Sequence, residues 1–193
     1  MNNQYIDNES NMTDKEMNNN TIVNPEIKLD DQLTIRLVKP EEATELFNLM
    51  DANRDYLGQW LPFIESTTIP QDSLQFINET IENFKNGSSY GFGIILDEKL
   101  IGHASLMHIK DDHEPEIGYW ISKDHSGKGI ATRLTEFLTN LGFDELGLKK
   151  IIITANKENI GSNRIAEKLG YTIERTKPGE MGGIDNIWVK TNR

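Results

Sequence analysis

The segment Ser126-Gly127-Lys128-Gly129-Ile130-Ala131-Thr132 has the composition of an anion cradle. It joins an apolar strand, Glu116-Ile-Gly-Tyr-Trp-Ile121, to an amphipathic helix. Glycine lets a backbone approach a ligand closely, because no Cβ stands in the way. The first N–H groups of the following helix then point at that ligand, beside the positive end of the helix dipole. A pyrophosphate suits such a turn. A P-loop nucleotide site does not fit, since the turn lacks a Gly-Lys-Ser/Thr ending and no acidic metal ligand closes a later strand.

Other chemistry-bearing residues carry weaker signals. His103, His108 and His113 recur every five residues, a spacing that alternates faces on a strand, so no shared metal site is expected. Asp111-Asp112-His113-Glu114 reads as a solvated loop. Trp60 and Phe63 fit either a groove wall or packing between the first two helices. Gly91-Phe-Gly93 lies in a strand and marks a bulge or close packing.

The elements that must position these residues follow from apolar periodicity. Leu33–Val38 alternates as a strand, and Glu41–Met50 repeats as a helix with Ala43, Leu46, Phe47 and Met50 on one face. Residues Asp55–Phe63 are aromatic and irregular. A second helix begins near Asp72 and stops at Asn86-Gly87. Tyr90–Leu96 and Leu100–Ile109 form a hairpin around Asp97-Glu-Lys99. After the glycine turn, Ile130, Leu134, Phe137, Leu138 and Leu141 define a long helix. Lys150–Thr154 is a buried strand, Ser162 is expected to cap a helix over Asn163–Leu169, and Gly170 stops it. Tyr171–Glu174 and Ile187–Lys190 supply the last strands. The order β-α-α-β-β-β-α-β-α-β-β predicts a single mixed α/β domain.

Composition narrows the class. The 193 residues suffice for one sizeable core plus a tail. Residues 1–31 are Asn-rich and without apolar period, so a disordered tail is expected there, with the folded domain over 32–193. That tail has no basic stretch before an apolar core and so does not read as a signal peptide. No apolar run reaches membrane-spanning length. The chain has no cysteine, which excludes disulfides and thiolate chemistry and fits the cytoplasm. Net charge is −11 with no basic stripe, a poor match to nucleic acid. An acidic domain attracts a cationic partner such as an amine, or is simply kept soluble by its charge.

Three blocks in order give the chain a resemblance to the GNAT superfamily of acetyl-CoA-dependent N-acetyltransferases. They are Glu116–Ser122 with the glycine turn, Asn156-Lys-Glu-Asn159-Ile-Gly-Ser162 through Tyr171, and Arg54-Asp-Tyr-Leu-Gly-Gln-Trp-Leu-Pro62. The last of these is similar to the RimJ/RimL type, which acetylates N-terminal amines of ribosomal proteins. The likeness spans roughly residues 32–190. It implies a GNAT-type mixed, mostly antiparallel sheet flanked by helices.

The resemblance further implies that the strand ending at Ile121 offers backbone groups to the pantetheine arm of acetyl-CoA. The amides of Gly127, Lys128, Gly129, Ile130 and Ala131, with Ser126 and Thr132 at the ends, would hold the pyrophosphate. The Lys128 side chain is solvated or lightly paired with phosphate. Asn159 would bond the pantetheine amide, and Ser162 would lie near the thioester sulfur. Glu116, which begins the same strand, is the candidate general base, or else a rim carboxylate.

Two positions depart from the family pattern. Ser126 stands where Gln or Arg is usual. Ala166 stands where many members carry a tyrosine that protonates the leaving thiolate, so Ser162 would have to serve, directly or through water. The segment Thr176–Gly183, which lines the acceptor groove in this subgroup, reads as short and flexible. The implied reaction is acetyl transfer from acetyl-CoA to a primary amine, in the first place a protein N-terminus, by a monomer or homodimer without metal. A small-amine transferase for polyamines or amine antibiotics, and a non-catalytic acyl-CoA sensor, are the alternatives.

Overall fold

Alternation and helical period are realised in a computed structural model that describes residues 23–110 and 112–192. The first strands are β1 (Glu26–Lys28) and β2 (Leu33–Arg36), followed by helices α1 (Ala43–Ala52), α2 (Arg54–Leu57), α3 (Phe63–Ser66) and α4 (Pro70–Asn86). Strands β3 (Tyr90–Leu96), β4 (Lys99–Met107) and β5 (Glu116–Ile121) come next, then α5 (Ile130–Asn140), β6 (Lys150–Asn156), α6 (Ile160–Lys168), β7 (Thr172–Pro178) and β8 (Ile184–Thr191). The eight strands make one sheet in the order β1-β2-β3-β4-β5-β6-β8-β7. Every pairing is antiparallel except β5 with β6.

Apolar side chains cover both faces. Leu134 and Leu138 of α5 bury against Leu106, Ile117 and Ile151 on one side. Leu46, Met50, Ile64 and Ile77 bury against Ile95, Leu100 and Trp120 on the other. Each such side chain stabilises the fold by about 1.5–3 kcal/mol relative to exposure. Among the described residues no helix is long and apolar enough to cross a membrane.

Several boundaries differ from the sequence expectation. Ile27 of β1 pairs with Ile35 and Val23 is buried, so the folded part starts before residue 32. Residues 1–22, the rest of the expected tail, lie outside the described residues. Helix α4 begins at Pro70 rather than Asp72, because proline fits the first helical turn and Asp72 accepts from the Thr68 and Ile69 amides there. The stretch 55–63 is irregular only over residues 58–62, between the end of α2 and the start of α3. Strand β7 runs on through Thr176-Lys-Pro178, so three of the eight residues expected to be flexible are paired with β8. Gly91 and Gly93 reflect close packing: a Cβ would meet Thr80 Cγ2 at 2.8 Å and Val38 Cγ2 at 2.6 Å, respectively.

Candidate active site

The site is made where the sheet comes apart. Strands β5 and β6 share one register pair, Glu116 opposite Ile152, beside a bond from the Ile152 N–H to the Pro115 carbonyl (2.8 Å). Past that pair the ladder stops. The Ser122 N–H donates to the Ile101 carbonyl of β4 (2.8 Å). Successive residues of a strand present backbone groups to opposite sides, so those of Tyr119 and Ile121 face the opening.

A cavity of about 350 Å³ occupies one side of this opening. Of the donor-side residues expected from sequence, it gathers Ile121, Ser126, Gly127, Gly129, Ile130, Ala131, Thr132 and Asn159, with Ser162. Lys128 does not line it and is exposed. Gly127 (φ 75°) and Gly129 (φ 79°) hold left-handed conformations, and a Cβ on either would meet nothing within 4 Å. The glycines therefore leave a clear space in front of the turn. Gly129 precedes α5 and offers no capping side chain, which leaves the first-turn N–H groups of Ile130, Ala131 and Thr132 without intrahelical acceptors. Open space faced by orphan donors fits a pyrophosphate.

The turn is latched from the first helices, which local sequence does not reveal. The Tyr56 hydroxyl donates to Ser126 Oγ (3.0 Å), and the Lys123 N–H donates to Asn53 Oδ1 (2.9 Å). Ser126 thus serves as an acceptor for α2 in place of a longer side chain. His125 Nδ1 lies 2.8 Å from Ser122 Oγ and adds a ring to the cavity wall.

The structure corrects the expected cap. Asn159, not Ser162, caps α6: its Oδ1 accepts from the Ser162 N–H at 3.1 Å. An Asn cap reaches the amide three residues on, and here that amide is Ser162's own. The Asn159 Nδ2 has no partner among the described residues, and Asn159 lines the cavity. The Ser162 hydroxyl, released from capping, lies 2.9 Å from the Tyr119 hydroxyl.

A second cavity, of about 470 Å³, lies on the other side of the opening. Trp60, Leu61, Tyr119, Asn159 and Ser162 line both cavities, so the two meet at these residues. Glu116 lines only the second. Phe63 and Phe76 wall it, and Lys177, Glu180, Met181 and Asp185 reach it from the β7–β8 hairpin. Trp60 and Phe63 are therefore groove residues. Among the described residues no group of three or more His, Cys, Asp or Glu is placed to hold a metal. His108 and His113 do approach, with ring centroids 5.0 Å apart, because β4 ends at Met107 and the alternation assumed for them stops.

Two buried polar atoms without partners, His103 Nε2 and Thr154 Oγ1, belong to residues lining this second cavity. Burial lowers the His103 imidazole to about 4, and its ring packs edge-on to Phe76 at 5.1 Å. The unfolded chain takes up that proton near pH 6.5, before the folded chain does. The stability is therefore complete above pH 6.5 and is lost as pH falls towards 4. Lowering pH from 7 to 4.5 is expected to cost about 2–3 kcal/mol through this group, or about 5–10 °C in Tm. His103→Gln should lose that share of the acid sensitivity in thermal melts; an equal Tm drop in both proteins would refute the assignment.

Comparison with known proteins accords with this arrangement. The acetyltransferase (GNAT) domain model matches residues 32–172. The chain is 33% identical over 153 residues to YdaF of Bacillus subtilis (strain 168), provisionally named a ribosomal N-acetyltransferase, covering 76% of this chain and 81% of YdaF. It is 26% identical over 152 residues to the ribosomal-protein-serine acetyltransferase of Escherichia coli (strain K12), covering 77% and 81% of the two chains. The solved structure of RimL, a ribosomal L7/L12 alpha-N-protein acetyltransferase in complex with coenzyme A, superposes with a TM-score of 0.79 at 19% identity, covering 86% of this chain and 97% of RimL. That last likeness is one of fold. With a family match across most of its length and a relative one-third identical over three-quarters of it, the chain belongs to the GNAT family of N-acetyltransferases.

Proposed function

We propose that this protein moves the acetyl group of acetyl-CoA to the N-terminal α-amine of a protein, with a ribosomal protein as the first acceptor to test. The observation that carries the reading is the meeting of two cavities at Tyr119, Asn159 and Ser162, one faced by orphan amides and the other by carboxylates. Acetyl-CoA supplies an activated acetyl group as a thioester. The amides of residues 127–131 and the Thr132 hydroxyl bind its pyrophosphate. The Ile121 and Tyr119 backbone groups and Asn159 Nδ2 align its pantetheine arm. A backbone N–H facing the opening near Ile121 stabilises the developing oxyanion, a contribution of about 3 kcal/mol for such donors. Holding both reactants at one junction adds the proximity term.

The acceptor class follows from acid–base chemistry. An α-amino group titrates near ~8, so about a tenth is neutral at pH 7, against under about a thousandth of a lysine at ~10.4. A carboxylate relaying through water suffices for the former, and Glu116 is the carboxylate at the start of the strand that carries the junction. Glu180 and Asp185, with Glu116, outnumber Lys177 in the same cavity, and this excess of negative charge favours an incoming cation. The names of the ribosomal acetyltransferase relatives support a protein acceptor.

The test is a competition assay with acetyl-CoA supplied and products read by mass spectrometry. Peptides with free N-termini, the same peptides blocked at the N-terminus, spermidine and an aminoglycoside compete in one mixture. The expected result is a single acetyl group on the free α-amine, with blocked peptides untouched. Preferential acetylation of spermidine or the aminoglycoside would replace the acceptor class. Absence of CoA release with every amine would refute transfer itself.

A further inference from the structure

Helix α6 offers no phenol to the cleft, since Ala166 lies one turn past Ser162 and is fully buried. A phenol arrives there from the sheet instead. Tyr119 of β5 pairs with Ala104 in register and lines both cavities where β5 parts from β6. Its hydroxyl and Ser162 Oγ are 2.9 Å apart, and neither oxygen has another hydrogen-bond partner among the described residues. Both residues line both cavities.

The other tyrosines near the core are committed elsewhere. The Tyr171 hydroxyl pairs with Thr139 Oγ1 at 2.7 Å, inside the core and outside both cavities. The Tyr56 hydroxyl donates to Ser126. Only Tyr119, among the described tyrosines, sits at the junction with its hydroxyl turned to Ser162.

A departing thiolate needs a proton, and acid strength decides which group can give it. A phenol titrates near ~10 and a thiol near ~8.5, a gap of about 1.5 units. A serine hydroxyl is far weaker and yields its proton only if another replaces it in the same motion. Resting on the acetyl-transfer reading above, we infer that Tyr119 is the proton source for the departing thiolate, with the Ser162 hydroxyl passing the proton between them. The amine nitrogen bonds to the acetyl carbon as the carbon–sulfur bond breaks, and that bond's electron pair stays on sulfur. Sulfur takes the Ser162 proton while Ser162 Oγ takes the Tyr119 proton. The amine's own proton leaves through Glu116 to water, and water returns one to the Tyr119 oxygen, so the protein ends unchanged. Burial raises the Tyr119 hydroxyl above the ordinary phenol range, against a smaller lowering by the Ser162 bond, so it holds its proton until a developing thiolate draws it away.

The experiment compares Tyr119→Phe, Ser162→Ala and the double variant with wild type, using the peptide acceptor. Tyr171→Phe controls for losing a buried phenol away from the junction. Each single variant at the junction is expected to lower kcat about 100-fold with KM for acetyl-CoA and Tm little changed. The double variant should be no slower than the worse single one, because two members of one relay cannot be lost twice. Tyr171→Phe should keep wild-type kcat. The inference is overturned if Tyr119→Phe stays within threefold of wild-type kcat, if its loss appears in KM, or if the two losses multiply. A silent wild type would instead remove the acetyl-transfer reading, and this inference with it.

Discussion

Gly129→Glu is expected to abolish acetyl-CoA binding, raising Kd at least about 100-fold by calorimetry, which corresponds to about 2.8 kcal/mol. Two causes act together. Gly129 sits at φ 79°, where a side chain costs about 1–2 kcal/mol, so the turn itself is strained. The new carboxylate also enters the open space in front of the turn and competes for the Ile130–Thr132 amides, where it repels a like charge. Gly147→Glu separates these causes. Gly147 has φ 67° and open space around its Cβ position but lies outside both cavities. It should lose similar stability and keep its affinity. Unchanged affinity in Gly129→Glu would refute the pyrophosphate assignment.

Gly102→Ala is expected to destabilise the fold by about 3 kcal/mol, lowering Tm by about 6–12 °C, and to weaken acetyl-CoA binding as well. Gly102 pairs with Ile94 on β3 and Ile121 on β5, beside the register shift at Ile94/Ile95. A Cβ there would stand 2.2 Å from the Trp120 carbonyl oxygen and 2.9 Å from Ile121 Cα. These are backbone atoms and cannot rotate away. Strand β5 has to shift, and it carries Tyr119 and Ile121 into the opening. Gly118→Ala on β5 is the contrast. Its Cβ would meet Met107 Cε at 3.0 Å, the end of a flexible side chain, and Ser105 Oγ at an ordinary contact distance of 3.8 Å, and should cost under about 1 kcal/mol. A Gly102→Ala Tm within 2 °C of wild type would mean that the β4–β5 spacing relaxes freely.

Much of the first cavity's lining is readable along the chain, and the exceptions have definite causes. The glycine turn, Ile121 and Asn159 meet at one cavity as their motifs imply, because turn and helix-start geometry are local properties. The cap of α6 is not legible in sequence, because Asn159 and Ser162 are both good capping residues, three positions apart, and only the backbone path decides between them. Strand β1 is three residues long in a polar context, too short to show alternation. Tyr119 disappeared into the apolar run of its own strand, since a tyrosine within a buried strand looks like core. Its hydroxyl partner is 43 residues away.

By itself the sequence determined the elements that depend on near neighbours: a turn that needs two left-handed glycines, a helix with an uncapped first turn, and strands patterned for a two-faced core. These rest on φ preferences and side-chain periodicity, which act within a few residues. Only the tertiary structure decided how the two halves of the site meet. The parting of β5 from β6 after Glu116, the Tyr56 latch on Ser126 and the Tyr119–Ser162 pair all depend on sheet register and on how helices seat against it. Register is set by the summed burial of many side chains, so no single stretch of sequence encodes it.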